Sequence, residues 1–278
     1  EPEAESALKA RLFRIGDNAE LVRGTVGCET NNYGTISGGI FQGKVVNFRT
    51  ISGGTFQGEV NNWETISNGT FQGKVDNDGV ISGGTFQENV GNYKTISNGT
   101  FQGEVYNFRG TISNGTFQGI LHNDSGTISG GTFEEAVEVN AASGAEAKIE
   151  GGTFKKSMTL ENNDAPITIS DGLFNGAVVD EGCRAPLSIT GGLFTKAVDV
   201  SRIIPDNLSI TGGYFVNKPT VPEGSVSFTS VSDQDGRTFQ VPVNDDWSES
   251  YTSLYVPRGS SGQHNTITVK TNTKLLYY

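Results

Sequence analysis

Sulfur and histidine are almost absent from this chain: 278 residues include 2 Cys, 1 Met and 2 His. Two cysteines make no disulfide framework, and neither stands in a spacing that would hold zinc. Basic residues are scarce as well, 20 Lys and Arg against 31 Asp and Glu, a net charge of -11. That balance excludes nucleic acid as a partner, because a phosphate backbone demands a basic stripe. No apolar run approaches the roughly 18 residues needed to cross a bilayer, so no membrane insertion is expected. A helical period is missing too, and 38 glycines would leave little helix to stack, which excludes an α-helical solenoid.

What is present is one phrase written repeatedly between residues 35 and 133, beginning TISGGIFQGKVVNFR and TISGGTFQGEVNNWE. Its phenylalanine recurs at Phe41, Phe56, Phe71, Phe86 and Phe101 with a period of 15, then at Phe117 and Phe133 with a period of 16. A unit this short cannot fold alone and must bury its apolar side against its neighbours. In each unit Ile36, Phe41 and Val45, or their equivalents, sit in strand-like triplets whose flanking polar residues point the other way. Corners such as Gly38-Gly39 and Asn68-Gly69 supply residues that reach positive φ cheaply. The expected fold is all-β: a single-stranded parallel β-helix, right-handed, of about 11 to 12 coils.

A further column, Asn47, Asn62, Asn77, Asn92, Asn107 and Asn123, falls two residues after the inward Val. It should point inward, where an unpaired amide costs roughly 1 to 3 kcal/mol, so the stacked amides must satisfy one another. On the same coil count Cys28 and Cys183 lie on the order of 40 Å apart at ~4.8 Å per rung, far beyond the ~7 Å a disulfide spans. Both are expected to be free thiols.

Residues 1–19 read as an N-terminal cap, with Ala4, Leu8, Leu12 and Ile15 at helical spacing or Leu12 to Ile15 as an edge strand. Residues 20–218 carry the repeats, in coils of 15 or 16 residues to Phe133 and of 20 or 21 thereafter. In the longer coils Val139, Leu160 and Val200 replace the Asn column, so the third strand is expected to lengthen and the cross-section to widen. Residues 219–278 lose the repeat and read as an irregular coil or β cap, built from short alternating strands such as SVSFTSVS and RTFQVPV.

The units ISGGTF, ISNGTF, ITGGLF and ITGGYF, with the ending GGYFVNKPTVPEG and GRTFQV, resemble the GGTF-type β-helix repeats of secreted or wall-attached proteins of gut Gram-positive bacteria. The resemblance covers residues 20 to 243 and implies a secreted or cell-surface location and a role as stalk or adhesin. More distantly the fold is similar to the pectin-lyase-like polysaccharide enzymes. Their catalytic Gly-His-Gly and Arg-Ile-Lys motifs do not occur here.

The candidate binding surface is the outward position after the Asn column: Tyr33, Phe48, Trp63, Asp78, Tyr93, Phe108 and Asp124. Flat aromatic side chains in water suit sugar rings; the plainer reading is a cross-coil stack worth roughly 0.5 to 1 kcal/mol per pair. Asp76 and Asp78, two residues apart along one strand, would lie roughly 6 to 7 Å apart, near the carboxylate separation of inverting glycosidases. Asp78-Gly79 is also an ordinary turn pair.

The Thr-x-Ser rows (Thr35, Ser37; Thr50, Ser52; Thr65, Ser67) resemble an ice-binding lattice, which Val80 and Lys148 interrupt. Lys44, Glu59 and Lys74 alternate in charge on adjacent coils, as surface ion pairs would. His122 and His264 stand isolated along the chain, so no Ser-His-Asp or metal constellation can be drawn and no cofactor or metal is expected.

These readings favour a non-catalytic extracellular segment of a bacterial surface protein, monomeric, contacting glycans or host cell-surface macromolecules or serving as a rigid spacer. The alternative is a polysaccharide lyase or glycoside hydrolase on the same scaffold, and a remote one is ice binding. An enzyme should break its repeat with a cleft, whereas residues 35 to 133 carry almost no insertions.

Overall fold

The computed structural model describes residues 12–141, 144–161, 164–233 and 235–243. Each repeat unit is one coil of a parallel β-helix. One face is a 12-stranded parallel sheet, running from Leu12–Ile15 and Glu29–Asn32 through Val45–Asn47 and its successors to Val198–Asp199. The other two faces are built from the Thr-Ile and Thr-Phe strands, for example Thr50–Ile51 and Thr55–Phe56, each paired in register with its equivalent one coil away.

Alternation places Ile, Phe and Val inward, and the phenylalanines form one continuous stack from Phe41 to Phe215. Adjacent rings lie 4.7 Å apart along Phe56, Phe71, Phe86 and Phe101, within 7° of parallel. The rung spacing of paired strands sets this distance, so the stack follows from the repeat itself. Before each Phe the corner glycine takes a conformation other residues avoid: Gly84 has φ 109° and Gly99 has φ 139°.

Asparagine amides satisfy one another along the axis. Asn62 Nδ2 donates to Asn77 Oδ1 at 2.7 Å, Asn77 to Asn92 at 2.8 Å and Asn92 to Asn107 at 2.7 Å, and all are fully buried. The 16-residue units add one residue beside this ladder, Arg109 or Ser125, each in left-handed backbone at φ 56° and each followed by glycine. Gly110 must be glycine, because a Cβ there would overlap the Asn92 and Asn107 amides. The serine hydroxyls of the Thr-x-Ser rows are also used along the axis: Ser52, Ser67 and Ser97 each donate to the carbonyl of the isoleucine one coil back at 3.3 Å. Those donors are therefore engaged within the stack rather than held out to a lattice.

The cross-section does widen after Phe133, though not through the third strand, which spans Val137–Asn140, Met158–Leu160 and Val178–Asp180. Instead the strand before the glycine corner gains an inward position, filled by Ala147, Ile167 and Leu187, and small buried residues such as Ala141, Ala165 and Cys183 line the added space. The lengthened coils thus carry an extra apolar column. Asp180, buried in the former Asn column, accepts the backbone N–H of Gly182 at 3.0 Å and of Cys183 at 2.7 Å.

The described residues begin on a strand and end on a hairpin. Leu12–Ile15 is a strand, in register with Glu29–Asn32, so the first rung already lies inside the segment read as a cap; Ala4 and Leu8 fall outside the described residues. At the other end Ser227–Ser232 and Thr238–Val243 form an antiparallel hairpin. Phe228 meets Phe215 edge-on at 5.8 Å and Phe239 meets Tyr214 at 5.9 Å, which covers the last ring of the stack.

Cys28 and Cys183 are free. Burial first, then the Asp180 carboxyl, pushes the Cys183 thiol far up, while Cys28 is partly exposed. Titration of the native chain with a disulfide reagent at pH 8 is expected to modify Cys28 alone, Cys183 reacting only after denaturation. Equal labelling of both thiols in the native state would contradict the packing of the widened coils.

Candidate functional site

The outer face of the 12-stranded sheet carries two columns of side chains. Parallel register aligns Asn31, Val46, Asn61, Asp76, Gly91, Tyr106, His122 and Glu138 in the first. Gly91 interrupts it. Its φ is not positive, so the backbone does not call for glycine; a Cβ there would stand 2.9 Å from Asp76 Oδ1 and 3.4 Å from Tyr93 Cε2. The Asp76 carboxylate and the Tyr93 ring cover Gly91, and around them lies a surface depression of about 450 Å³ walled by Lys74, Asp76, Glu88, Asn89, Tyr93, Tyr106 and Phe108. That volume is within the range of small-molecule sites.

The unit that makes this depression, VISGGTFQENVGNYK at 80–94, departs from its sisters at the very positions that line it. Glu88 stands where the flanking units have Gly43, Gly58, Gly73, Gly103 and Gly119. Those corners pack tightly: a Cβ on Gly58 or Gly73 would come within 2.5 Å of the carbonyl oxygen one coil back. Asn89 stands where Lys44, Glu59, Lys74 and Glu104 stand, and Gly91 where every other unit between 35 and 133 has a side chain. Three departures in one coil converge on one space.

Three aromatic rings and a set of charges complete the walls. Tyr93 and Phe108 stack at 5.3 Å, and Tyr106 lies 6.1 Å from Phe108 with planes 14° apart. Tyr106 stacks on His122 at 4.5 Å, and its hydroxyl donates to Glu104 Oε2 at 2.6 Å. Glu104 thereby holds the Tyr106 phenol above its usual range. Lys74 Nζ pairs with Asp76 Oδ1 at 3.0 Å, and this contact first of all holds the Lys74 ammonium above its usual range. With Lys74 matched by Asp76, Glu88 leaves the walls with one net negative charge.

Of the residues named from sequence, the structure brings Asp76, Tyr93 and Phe108 into this depression and places Tyr33, Phe48, Trp63 and Asp78 outside its walls. Tyr33 stacks on Phe48 at 4.8 Å, with the Arg14 guanidinium 4.5 Å above the Tyr33 ring. Trp63 stands half exposed. Asp76 pairs with Lys74 in the wall of the depression, and Asp78 is exposed outside that wall.

Lys74, Glu88, Asn89, Gly91 and Tyr106 are the wall residues that face alternation alone does not single out, and the unit-to-unit comparison is the signal that finds them. His122 is isolated only along the chain: its Nδ1 lies 2.7 Å from Glu138 Oε2 and its Nε2 3.8 Å from Glu104 Oε2. Lys44 and Glu59 form the ion pair their alternation implied, at 2.8 Å. Among the described residues no His, Cys, Asp or Glu group has the geometry of a metal site, and no helix is long and apolar enough to cross a membrane.

No protein-family model matches the chain, and neither a curated protein nor a solved structure is significantly similar to it.

Proposed function

We propose that this chain is a non-catalytic segment of an extracellular bacterial surface protein, whose β-helix is a rigid spacer that holds a glycan-contacting notch beside Gly91. The observation that carries this reading is the concentration of departures from the repeat. Glu88, Asn89 and Gly91 fall in a single coil, around three aromatic rings, while the flanking coils keep the corner glycines Gly73 and Gly103 and carry Asp76 and Tyr106 in the row of Gly91. The secreted or cell-surface location rests on the resemblance of the ISGGTF units to wall-attached β-helix repeats, and the acidic, glycine-rich exterior agrees with it.

A glycan array probed with the intact chain tests the reading. The wild type is expected to retain at least one plant, mucin or bacterial-wall glycan, and Tyr93→Ala with Phe108→Ala to lose it. Because both rings lie outside the core, the melting temperature of the double variant should stay within about 4 °C of the wild type. Trp63→Ala, outside the notch, should bind as the wild type does. Retention of nothing by the wild type, or equal retention by the double variant, would sink the glycan reading and leave a spacer.

A further inference from the structure

Three of the short coils turn on asparagine and glycine: Asn68-Gly69, Asn98-Gly99 and Asn114-Gly115. Sister coils hold two glycines there, such as Gly53-Gly54 and Gly83-Gly84, so the fold does not call for the asparagine side chain. All three asparagines are exposed, and the glycine that follows each takes a positive φ, 133°, 139° and 130° in turn. In two of the corners the side chain meets its own neighbour: the Gly69 N–H donates to Asn68 Oδ1 at 2.9 Å, and the Gly115 N–H to Asn114 Oδ1 at 2.9 Å. Cγ, the carbon bonded to that oxygen, is the atom a backbone nitrogen attacks when asparagine cyclises. Closing this small ring needs no group from elsewhere in the chain, and glycine has no side chain to obstruct it.

We infer that these three corners are sites of spontaneous deamidation in the folded chain, with water as the only co-reactant. The glycine nitrogen bonds to Cγ, the side-chain nitrogen leaves as ammonia with the proton that the backbone N–H gives up, and a succinimide remains. Water then opens the ring, at Cγ to give aspartate or at the main-chain carbonyl to give isoaspartate, and nothing is oxidised or reduced. The aspartate product has a precedent in the same row: Asp171 stands at the equivalent corner of a longer coil, and the Gly172 N–H donates to its Oδ1 at 2.8 Å, so that product keeps the corner intact. Each event adds a negative charge to a row that holds no charged side chain between residues 35 and 133. Isoaspartate instead lengthens the main chain by a methylene, beside the Thr70 N to Gly54 O bond of 2.9 Å that sets the rung. Among the described residues a fourth Asn-Gly pair, Asn175-Gly176, is the contrast. Its amide oxygen lies 3.2 Å from the Thr195 hydroxyl, and a Cβ on Gly176 would stand 2.0 Å from the Lys156 carbonyl oxygen, so ring closure there must break a side-chain contact and move tightly packed backbone.

The test incubates the intact chain at pH 8 and follows deamidation by peptide mass mapping, with isoaspartate scored by enzymatic methylation. Asn68, Asn98 and Asn114 are expected to convert at least about fivefold faster than Asn175. In guanidinium chloride, where every Asn-Gly pair is equally free, the four rates should converge to within about twofold. Asn68→Gly, which restores the corner of the sister coils, should fold and remove the signal at that corner alone. Asn68→Asp, the product itself, should melt within about 4 °C of the wild type and focus with the first acidic species that appears on ageing. An Asn175 rate equal to the corner rates in the folded chain, or corners that stay unmodified there while the unfolded chain deamidates, would overturn the inference. Loss of cooperative melting in Asn68→Asp would overturn the claim that the aspartate form keeps the corner.

Discussion

Replacing Phe86 by alanine is expected to destabilise the chain by about 3 to 5 kcal/mol, the range for removing a fully buried aromatic ring. Phe86 is completely buried and lies 4.7 Å from Phe71 on one side and from Phe101 on the other. The hole cannot collapse easily, because the coils on either side are held at a fixed rise by backbone hydrogen bonds: Thr85 N to Gly69 O at 2.9 Å and Gln87 N to Phe71 O at 2.8 Å. Both neighbouring rings would lose a stacking partner, which at roughly 0.5 to 1.5 kcal/mol per pair adds to the lost transfer energy. Gln87 points outward from the same strand and is exposed, so Gln87→Ala should change stability by less than about 0.5 kcal/mol. Urea unfolding of the two variants measures the difference. Similar midpoints would mean that the inward and outward faces have been exchanged.

The residues that fix the scaffold were legible because they recur. A phenylalanine every 15 or 16 residues, an asparagine two positions after each inward valine or leucine and glycine at nearly every corner have one structural solution, since only stacked coils bring equivalent residues into contact. Where the period lengthens, recurrence locates the core but not the insertion: the pattern Val139, Leu160, Val200 fits a longer third strand, whereas the structure gives the extra inward residues Ala147, Ile167 and Leu187 to a different strand. Spacing between phenylalanines is the same in both cases.

The notch was only half legible, for a different reason. Tyr93 and Phe108 stand out as aromatic residues on an outward face, but a glycine in a glycine-rich chain does not attract notice, and Glu88 reads as one more surface charge. Their meaning depends on what the sister units have at the same positions. His122 gives the same lesson, since Glu104 and Glu138 are 18 and 16 residues away in sequence and its immediate neighbours in space.

Deleting residues 65–79 is expected to leave a folded chain one coil shorter, whereas deleting residues 65–71 should abolish cooperative folding. In the first variant Glu64 is followed by Val80, and every column closes across the gap: Phe56 meets Phe86, Ile51 meets Ile81 and Asn62 meets Asn92. Each of these contacts has a native counterpart in register, such as Phe56 with Phe71, so the new interface repeats an old one and stability falls only by about one unit's share. The second deletion removes Ile66 and Phe71 but keeps Val75 and Asn77, leaving too little chain to complete a coil. Val75 then cannot pair with Val60 without leaving Ile51 and Phe56 open to water, and a buried amide of the Asn ladder loses its partner at a cost of roughly 1 to 3 kcal/mol. The intact-coil deletion also replaces Lys74 and Asp76 by Glu59 and Asn61 beside Gly91, so it should fold normally and yet lose glycan affinity, separating scaffold from notch in one molecule. Circular dichroism, melting and size-exclusion chromatography of both variants distinguish these outcomes, and two equally folded products would show that coils of this length are not the unit of the fold.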